Sequence, residues 1–568
     1  MSQREWFPAT VYYAGDGYST AGPKLMGRQA AGQGFLRGYV HAAQAQQQTA
    51  SAWVTSLSPD AVKEARQGFQ QAGLASELEL LSNKNMAGLK QSGCLYVPQP
   101  GLAELAAQRI RVGERLFSLC GITHTTASHA VMSTLAQLPL TPLRPWDAVI
   151  CTSQAVRQSV DHLLSQQLDF LKWKLGATRF ELPQLPVIPL GVHVADYEFS
   201  ADQKVAARHQ LGLAENDIAV LFVGRLSFHA KAHPHPMLVA LQNVAKRSAK
   251  KIHLIQAGWF ANEPIEAAFK QAALALAPDV EHVFLDGRDS VQRETAWASA
   301  DIFCSLADNI QETFGLTPIE AMAASLPVIV SDWDGYKDTV RHEVDGFRVP
   351  TCMPAAGDGL ELASLYERGL INYDMYCGFA CEFVAVDIQK ATEYFDALVA
   401  SRELRLQMGK AAHERALQCY DWRVVLNDYQ SLWQSLQQRR MGMNMNMDMD
   451  MDMDGHDFGK NPLAAALDRP DPFEFFAGYA SQTLNDQSML RLNQWVDEAN
   501  FQQTVSLSVH SYALAMLPSW RQVEQIQQQL SQSDLTVGSF IRQVEKSQAP
   551  RVRRYLLWMM KVGWIALI

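Results

Sequence analysis

The chain has 568 residues, of which 48% are apolar and 19% charged, and a formal net charge of −10. This length exceeds a single hydrophobic core and implies about three or four domains of ordinary globular composition. The negative balance offers no field to draw the chain to a phosphate backbone, so no nucleic-acid partner is expected. No run reaches the ~18 apolar residues of a membrane span. The opening "MSQREWFPATVYYAG" lacks a basic-then-apolar leader pattern. The eight cysteines are scattered and read as reduced thiols, so a cytoplasmic location is expected.

Along the chain, short β-branched or aromatic runs alternate with amphipathic helical patterns, the signature of parallel sheets covered by helices. In the first half the predicted strands are 10–15, 51–57, 115–124, 147–153 and 186–192, with a long helix over 154–176. The Gly-rich stretch "AGDGYSTAGPKLMGRQ" follows the first strand. Its Gly22 and Gly27 have Walker A spacing, but Arg28 and Gln29 stand where Lys and Ser/Thr are required, so it is not a P-loop. In the second half the strands are 217–226, 251–259, 281–287, 300–306 and 326–332. Two further helices meet near Tyr420 and Asp421. "MGMNMNMDMDMDMDGHD" (441–457) is read as a disordered linker, because Asp and Asn resist both helix and sheet. A Gln-rich helical pattern follows.

The chemistry gathers in "QETFGLTPIEAMAASLPVI" (311–329), where Glu312 and Glu320 bracket a Gly and a Pro. Pro318 suits a first helical position, which places Thr317 at the N-cap and Glu320 in a capping box. Gly315 lets the backbone approach a ligand closely, and the free N–H groups of Gly315 to Ile319 would attract phosphate. Glu312 has no such local role and would suit a sugar hydroxyl beside that phosphate. After the strand at 217–226 come Gly224, Arg225 and Lys231, two cations able to neutralise a diphosphate without a metal ion. His229, His233 and His235 have loop spacing that could hold a cation, but no acid accompanies them, and no metal site is assigned. Cys377 and Cys381, at i, i+4, read as core rather than ligands.

"FVGRLSFHAK", "DIFCSLADNIQETFGLTPIEAMAASLPVIVSD" and "DGFRVP" together resemble the family-4 glycosyltransferases, retaining enzymes of the GT-B fold with an E-x7-E motif. The resemblance is strong from about Ala219 to Pro350 and weaker from the N-terminus to about residue 435. It implies that Arg225 and Lys231 contact the donor diphosphate, Glu312 holds the transferred sugar, Gly315 and Leu316 offer backbone N–H groups, and Glu320 binds the ribose. It also implies that His124, in "GITHTT", lies near the reacting carbon, and that Gly22, Pro23 and Lys24 face the cleft. Gly224, Phe314 and Thr317 complete the implied donor site. Two departures are visible: the Arg-to-Lys gap is one residue longer than usual, and Ser325 stands where the family ends its helix with Gly.

The resulting expectation is an α/β GT-B protein, two Rossmann-like domains facing a cleft plus a small C-terminal α-helical module. Residues 1–195 form the acceptor-side domain and 196–419 the nucleotide-sugar domain. Residues 420–440 form a crossover helix, 441–460 a linker and 461–568 the helical module. The implied activity is metal-independent, retaining transfer from a nucleotide-diphosphate sugar to a glycan, lipid or metabolite, with no cofactor. A GT-B epimerase or phosphorylase and a silent scaffold remain as alternatives. The basic-then-apolar segment 551–568 is read either as a closing helix or as a peripheral membrane contact.

Overall fold

Short apolar runs set the architecture. "TVY", "SAW", "SLCGI" and "AVI" are almost wholly buried, as strands covered on both faces must be. A computed structural model describes residues 5–18, 27–442 and 471–568. Gly22, Pro23 and Lys24, and the Met/Asp stretch beyond Gly442, lie outside these residues.

The first sheet comprises β1 (Thr10–Tyr12), β2 (Ser51–Trp53), β3 (Glu79–Leu81), β4 (Cys94–Tyr96), β5 (Ser118–Ile122) and β6 (Ala148–Ile150). The second comprises β7 (Ile218–Val223), β8 (Ile252–Gly258), β9 (Glu281–Asp286), β10 (Ile302–Ser305), β11 (Val328–Ser331) and β12 (Gly346–Val349). Their orders are β3-β2-β1-β4-β5-β6 and β12-β11-β10-β7-β8-β9. Every pairing within them is parallel. Read from the far edge, the second order repeats the first, so both are doubly wound sheets whose order reverses beside their first strand. This is the two-domain GT-B arrangement. A small antiparallel ribbon, β13 (Thr351–Cys352) with β14 (Ala385–Val386), follows.

Three strands escape the sequence pattern. β3 and β4 have three residues each, too short for alternation to show, and β12, "GFRV", interrupts its four with Gly346 and Arg348. Conversely, the segment 186–192 is not a strand. Pro186 and Pro189 withhold N–H donors, and only Val187 and Val192 make isolated bridges, to Cys151 and Asp421.

Four helices position the site. α1 (Gly27–Ala45) covers the first sheet. α2 (Gln154–Leu175) begins at the N-cap Ser153, which accepts from Val156 N at 3.2 Å, and ends at Gly176 with φ 64°. α3 (Leu316–Ala323) follows β10. α4 (Trp422–Gly442) returns to the first sheet, burying Trp422, Leu426, Tyr429, Trp433 and Leu436 against Phe35 and Tyr96. Trp422 is seated between backbones: a Cβ on Gly34 would lie 2.7 Å from its ring, and one on Gly191 2.8 Å.

Ala466–Ile568 form a separate compact unit. It is helical, with α5 (Trp520–Leu530) and α6 (Ala549–Lys561), and it adds a feature the sequence pattern does not show. This is an antiparallel sheet in which β15 (Met489–Leu492) lies between β16 (Leu535–Thr536) and β17 (Ile565–Leu567). Leu556, Trp558, Met559 and Ile565 form its core with Leu490, Phe501 and Val523, so the apolar residues of the 551–568 segment largely face inward. Among the described residues no helix is long and apolar enough to cross a membrane.

Candidate active site

In a doubly wound sheet, ligands settle outside the carboxyl ends of the strands where the order reverses. In the second sheet that point lies between β7 and β10, which feed the loops carrying Gly224 to Lys231 and Leu306 to Gly315.

The loop after β10 turns into α3 at Gly315, whose φ of 86° makes it the N-cap. A Cβ there would sit 1.9 Å from Cε1 of buried Tyr336, so glycine is required both by conformation and by space. This corrects the capping-box expectation. The helix begins two residues earlier than Pro318 suggests, Pro318 occupies the third helical position, and no side chain caps it. The Thr317 hydroxyl is buried without a hydrogen-bond partner, while Glu320 turns away from its own helix start toward the Tyr197 hydroxyl. The physical reason is that Gly315 satisfies the entry geometry itself and leaves the first-turn N–H groups uncapped by side chains.

Glu312, three residues before that N-cap, forms an ion pair with Lys231. Burial pushes its carboxyl upward, but the charge and hydrogen bond of Lys231 outweigh this and hold it below its ordinary value. The Thr313 backbone N–H donates to Glu312 Oε1 at 3.3 Å. Lys231 also acts on Glu320, whose carboxyl burial pushes up and Tyr197, Arg293 and Lys231 pull down, with a net rise. The longer Arg-to-Lys gap thus still delivers Lys231 to both acids. Gly224 has φ 149°, a conformation that L side chains rarely adopt, and lies against the lysine: a Cβ there would touch Lys231 Cε at 3.4 Å, an ordinary contact. Arg225 Nη2 donates to Ala230 O at 2.9 Å and also bonds the Gln311 side-chain amide, which folds the loop back beneath the two cations.

The first sheet reaches the same place. Thr313 Oγ1 donates to His124 O at 3.2 Å, and Thr152 Oγ1 donates to Thr313 O at 3.4 Å. His124, just beyond β5, is held neutral: burial, then the charge of Arg28, lowers its imidazole to about 4. The structure therefore brings together His124, Gly224, Arg225, Lys231, Glu312, Phe314, Gly315, Leu316, Thr317 and Glu320, with Phe314 buried beneath the loop. Gly22 lies outside the described residues.

The three loop histidines do not converge on a cation. His229 meets Ser227, and His233 Nδ1 accepts from His235 N at 3.3 Å. Among the described residues no group of three or more His, Cys, Asp or Glu is arranged to hold a metal. Cys377 and Cys381 are buried and free, in accord with the core reading.

Sequence reasoning missed Tyr197 and Arg293, which meet Glu320 from the connecting segment and from the helix at 290–299. It also missed Asp334. That residue has φ 45°, its carboxyl is pushed well above its usual range by burial and then by Glu312, and its Oδ1 lies 3.4 Å from Ser153 Oγ. Its one sequence signal was the turn pair Asp334-Gly335.

Residues 203–362 match the family described as glycosyl transferases group 1. Phosphatidyl-myo-inositol mannosyltransferase of Mycobacterium leprae is 28% identical over 314 residues, 55% of this chain and 72% of that protein. D-inositol 3-phosphate glycosyltransferase of Geodermatophilus obscurus is 27% identical over 235 residues, 40% of this chain and 50% of the relative. Uncharacterized glycosyltransferase MJ1607 of Methanocaldococcus jannaschii is 26% identical, over 27% of this chain and 37% of its own length. Among solved structures, Anabaena Alr3699/HepE in complex with UDP and glucose aligns at TM-score 0.47 and 15% identity, covering 75% of this chain and 99% of that one. Sucrose-phosphate synthase from Thermosynechococcus elongatus aligns at TM-score 0.45 and 16% identity, covering 76% and 99%. The match to the glycosyl transferases group 1 family at residues 203–362 takes in the whole second sheet and the loops that carry Arg225, Lys231 and Glu312.

Proposed function

We propose that the protein transfers a sugar from a nucleotide-diphosphate donor to an acceptor hydroxyl, with retention of anomeric configuration. The observation that carries this reading is the Lys231–Glu312 pair set against the uncapped start of α3, at the point where the strand order of the second sheet reverses. In this reading the donor diphosphate takes Lys231 from Glu312 and lies against Arg225 and the first-turn N–H groups of α3. The two cations and the helix dipole neutralise the leaving diphosphate, the role a metal ion fills in other sites. Glu312, released from its lysine, accepts hydroxyls of the sugar. Glu320, positioned by Tyr197, accepts those of the ribose. Neutral His124 offers a hydrogen bond at the reacting carbon without opposing the positive charge that develops there. As the glycosidic bond to phosphate breaks and the bond to the acceptor oxygen forms on the same face, the departing phosphate oxygen receives the acceptor proton.

The test is turnover of candidate nucleotide-sugars, chosen first by thermal shift because a true donor stabilises the folded state by mass action. The inositol-containing substrates in the names of two relatives make such polyols the first acceptors to try. Glu312→Ala is expected to abolish transfer with the fold retained; normal turnover by that variant refutes the assignment. Alteration of the donor with no acceptor present points instead to an epimerase.

A further inference from the structure

In the C-terminal unit, residues 499–523 and 546–568 contain no Asp or Glu, yet they carry Arg521, Lys546, Arg551, Arg553, Arg554 and Lys561. Arg553 is engaged by Asp486 at 2.7 Å. Arg551, Arg554 and Lys561 are exposed on α6, form no ion pair among the described residues, and share one helical face by their three- and seven-residue spacings. Against α6 lies the short helical turn Ser508–Ser511, where the His510 ring stands 5.9 Å from that of Trp558. That turn and the next, Leu514–Met516, hold large apolar side chains in solvent: Val509 is 69% exposed, Tyr512 84% and Met516 68%, with Leu507 and Leu514 beside them.

We infer that this face docks on an anionic lipid surface. Exposed aliphatic and aromatic side chains beside unpaired cations, with no acid in either segment, are what the interface of a negatively charged bilayer accepts. A nucleic acid would engage the cations but give the Val509, Leu514 and Met516 side chains nothing to enter. Of the two sequence readings of 551–568, the closing helix holds for its apolar residues, since Leu556, Trp558, Met559 and Ile565 lie in the core of the unit and are not available to a membrane. In this arrangement α6 supplies charge and the segment 507–516 supplies the inserting groups.

The experiment is co-sedimentation of the full chain with vesicles of phosphatidylcholine, alone or mixed with phosphatidylglycerol. Binding is expected only with phosphatidylglycerol and is expected to weaken with salt. Arg551→Ser and Arg554→Ser are each expected to weaken binding about fivefold, and together roughly 25-fold. The triple variant Val509→Ser, Tyr512→Ser, Met516→Ser is expected to lose vesicle binding with little change in unfolding temperature, since these residues are mostly exposed in the free protein. Absence of binding to phosphatidylglycerol vesicles, equal binding by the variants, or retention of duplex DNA in place of vesicles overturns the proposal. Vesicle binding is read without any transfer assay, so neither result depends on the proposed activity.

Discussion

Lys231→Met isolates the pair on which the site depends. The substitution keeps most of the side-chain volume but leaves Glu312 without its cation. Glu312 is only 12% exposed and Lys231 23%, so solvent replaces little of the lost attraction. Removing one partner of a fully buried pair costs about 3–5 kcal/mol, and the residual exposure brings the expectation to about 2–3 kcal/mol near pH 7. The pH dependence gives the result its sign. In the parent chain the folded Glu312 carboxyl is depressed, so its contribution is present above the unfolded value and is lost only as pH falls through the lower folded value. In the variant, burial is opposed only by the backbone N–H groups of Thr313 and Phe314, so the folded value is expected to rise above the parent's and the group to destabilise as pH rises above about 4. Urea unfolding should therefore show a large deficit at about pH 7 and a small one at about pH 4. The same change should lower kcat/KM by about 10²–10³, because a charge that stabilises the leaving diphosphate is gone. A stability deficit equal at both pH values, or kcat/KM within about threefold of the parent, would refute the pairing argument.

Gly315→Ala should destabilise by about 2–4 kcal/mol, since the new Cβ meets Tyr336 in a left-handed backbone; unfolding midpoints and donor-induced thermal shift should fall together. His124→Asn should flatten the acid limb of stability. The parent imidazole titrates at about 4 when folded, so the unfolded chain binds the extra proton as pH falls from about 6.5, and stability is lost across that window. Unfolding followed from neutral to acid pH measures the difference between the two slopes. Asp334→Asn should stabilise the protein at neutral pH. The folded acid is pushed well above its usual range, its stability is lost as pH rises, and Asn tolerates its positive φ, so a lower unfolding midpoint near neutrality would count against the account.

Five strands of the second sheet were legible because their apolar runs of four to seven residues stand out from the helices between them, while β12, which holds Gly346 and Arg348, was not. The first sheet was read less completely. β3 and β4 have three residues each, and 186–192 imitated a strand by composition alone. At the site, Arg225, Lys231 and Glu312 were visible because they stand together with a phosphate-type helix start in the order of the family pattern, whereas any one of them alone reads as a surface charge. Tyr197, Arg293 and Asp334 were invisible because their meaning lies in contacts across 27 to 181 residues of chain, made by folding and not by spacing. The capping-box error has the same root. Thr317, Pro318 and Glu320 satisfy a local rule, but the space around Tyr336 admits only Gly315 at the turn, and that tertiary constraint sets the helix start.

The contacts that join the two sheets divide into a fixed side and a light side. Trp422 on α4 is clasped among Gly34, Gly38 and Gly191, and Val192 pairs with the backbone at Asp421, so the return of the chain is anchored by close-packed groups that cannot part cheaply. Across the site the ties include single hydrogen bonds, Thr313 with His124 and Thr152, Ser153 with Asp334, and the first N–H of α2, from Gln154, to Asp338 Oδ2 at 2.7 Å, and one ring contact, His129 on Tyr366, whose Oη accepts from His129 N at 3.1 Å. Each such bond is worth about 0.5–1.5 kcal/mol net, because its groups find water when it opens. Opening of the site is therefore expected to pivot at Trp422 and to part at Thr313, directly beside Glu312. In the proposed reaction, entry of a donor and release of a product would meet these light contacts first. The residues that make these contacts, Thr313 above all, belong to the same loop that would hold the proposed donor, so closure and assembly of the site are expected to be one event.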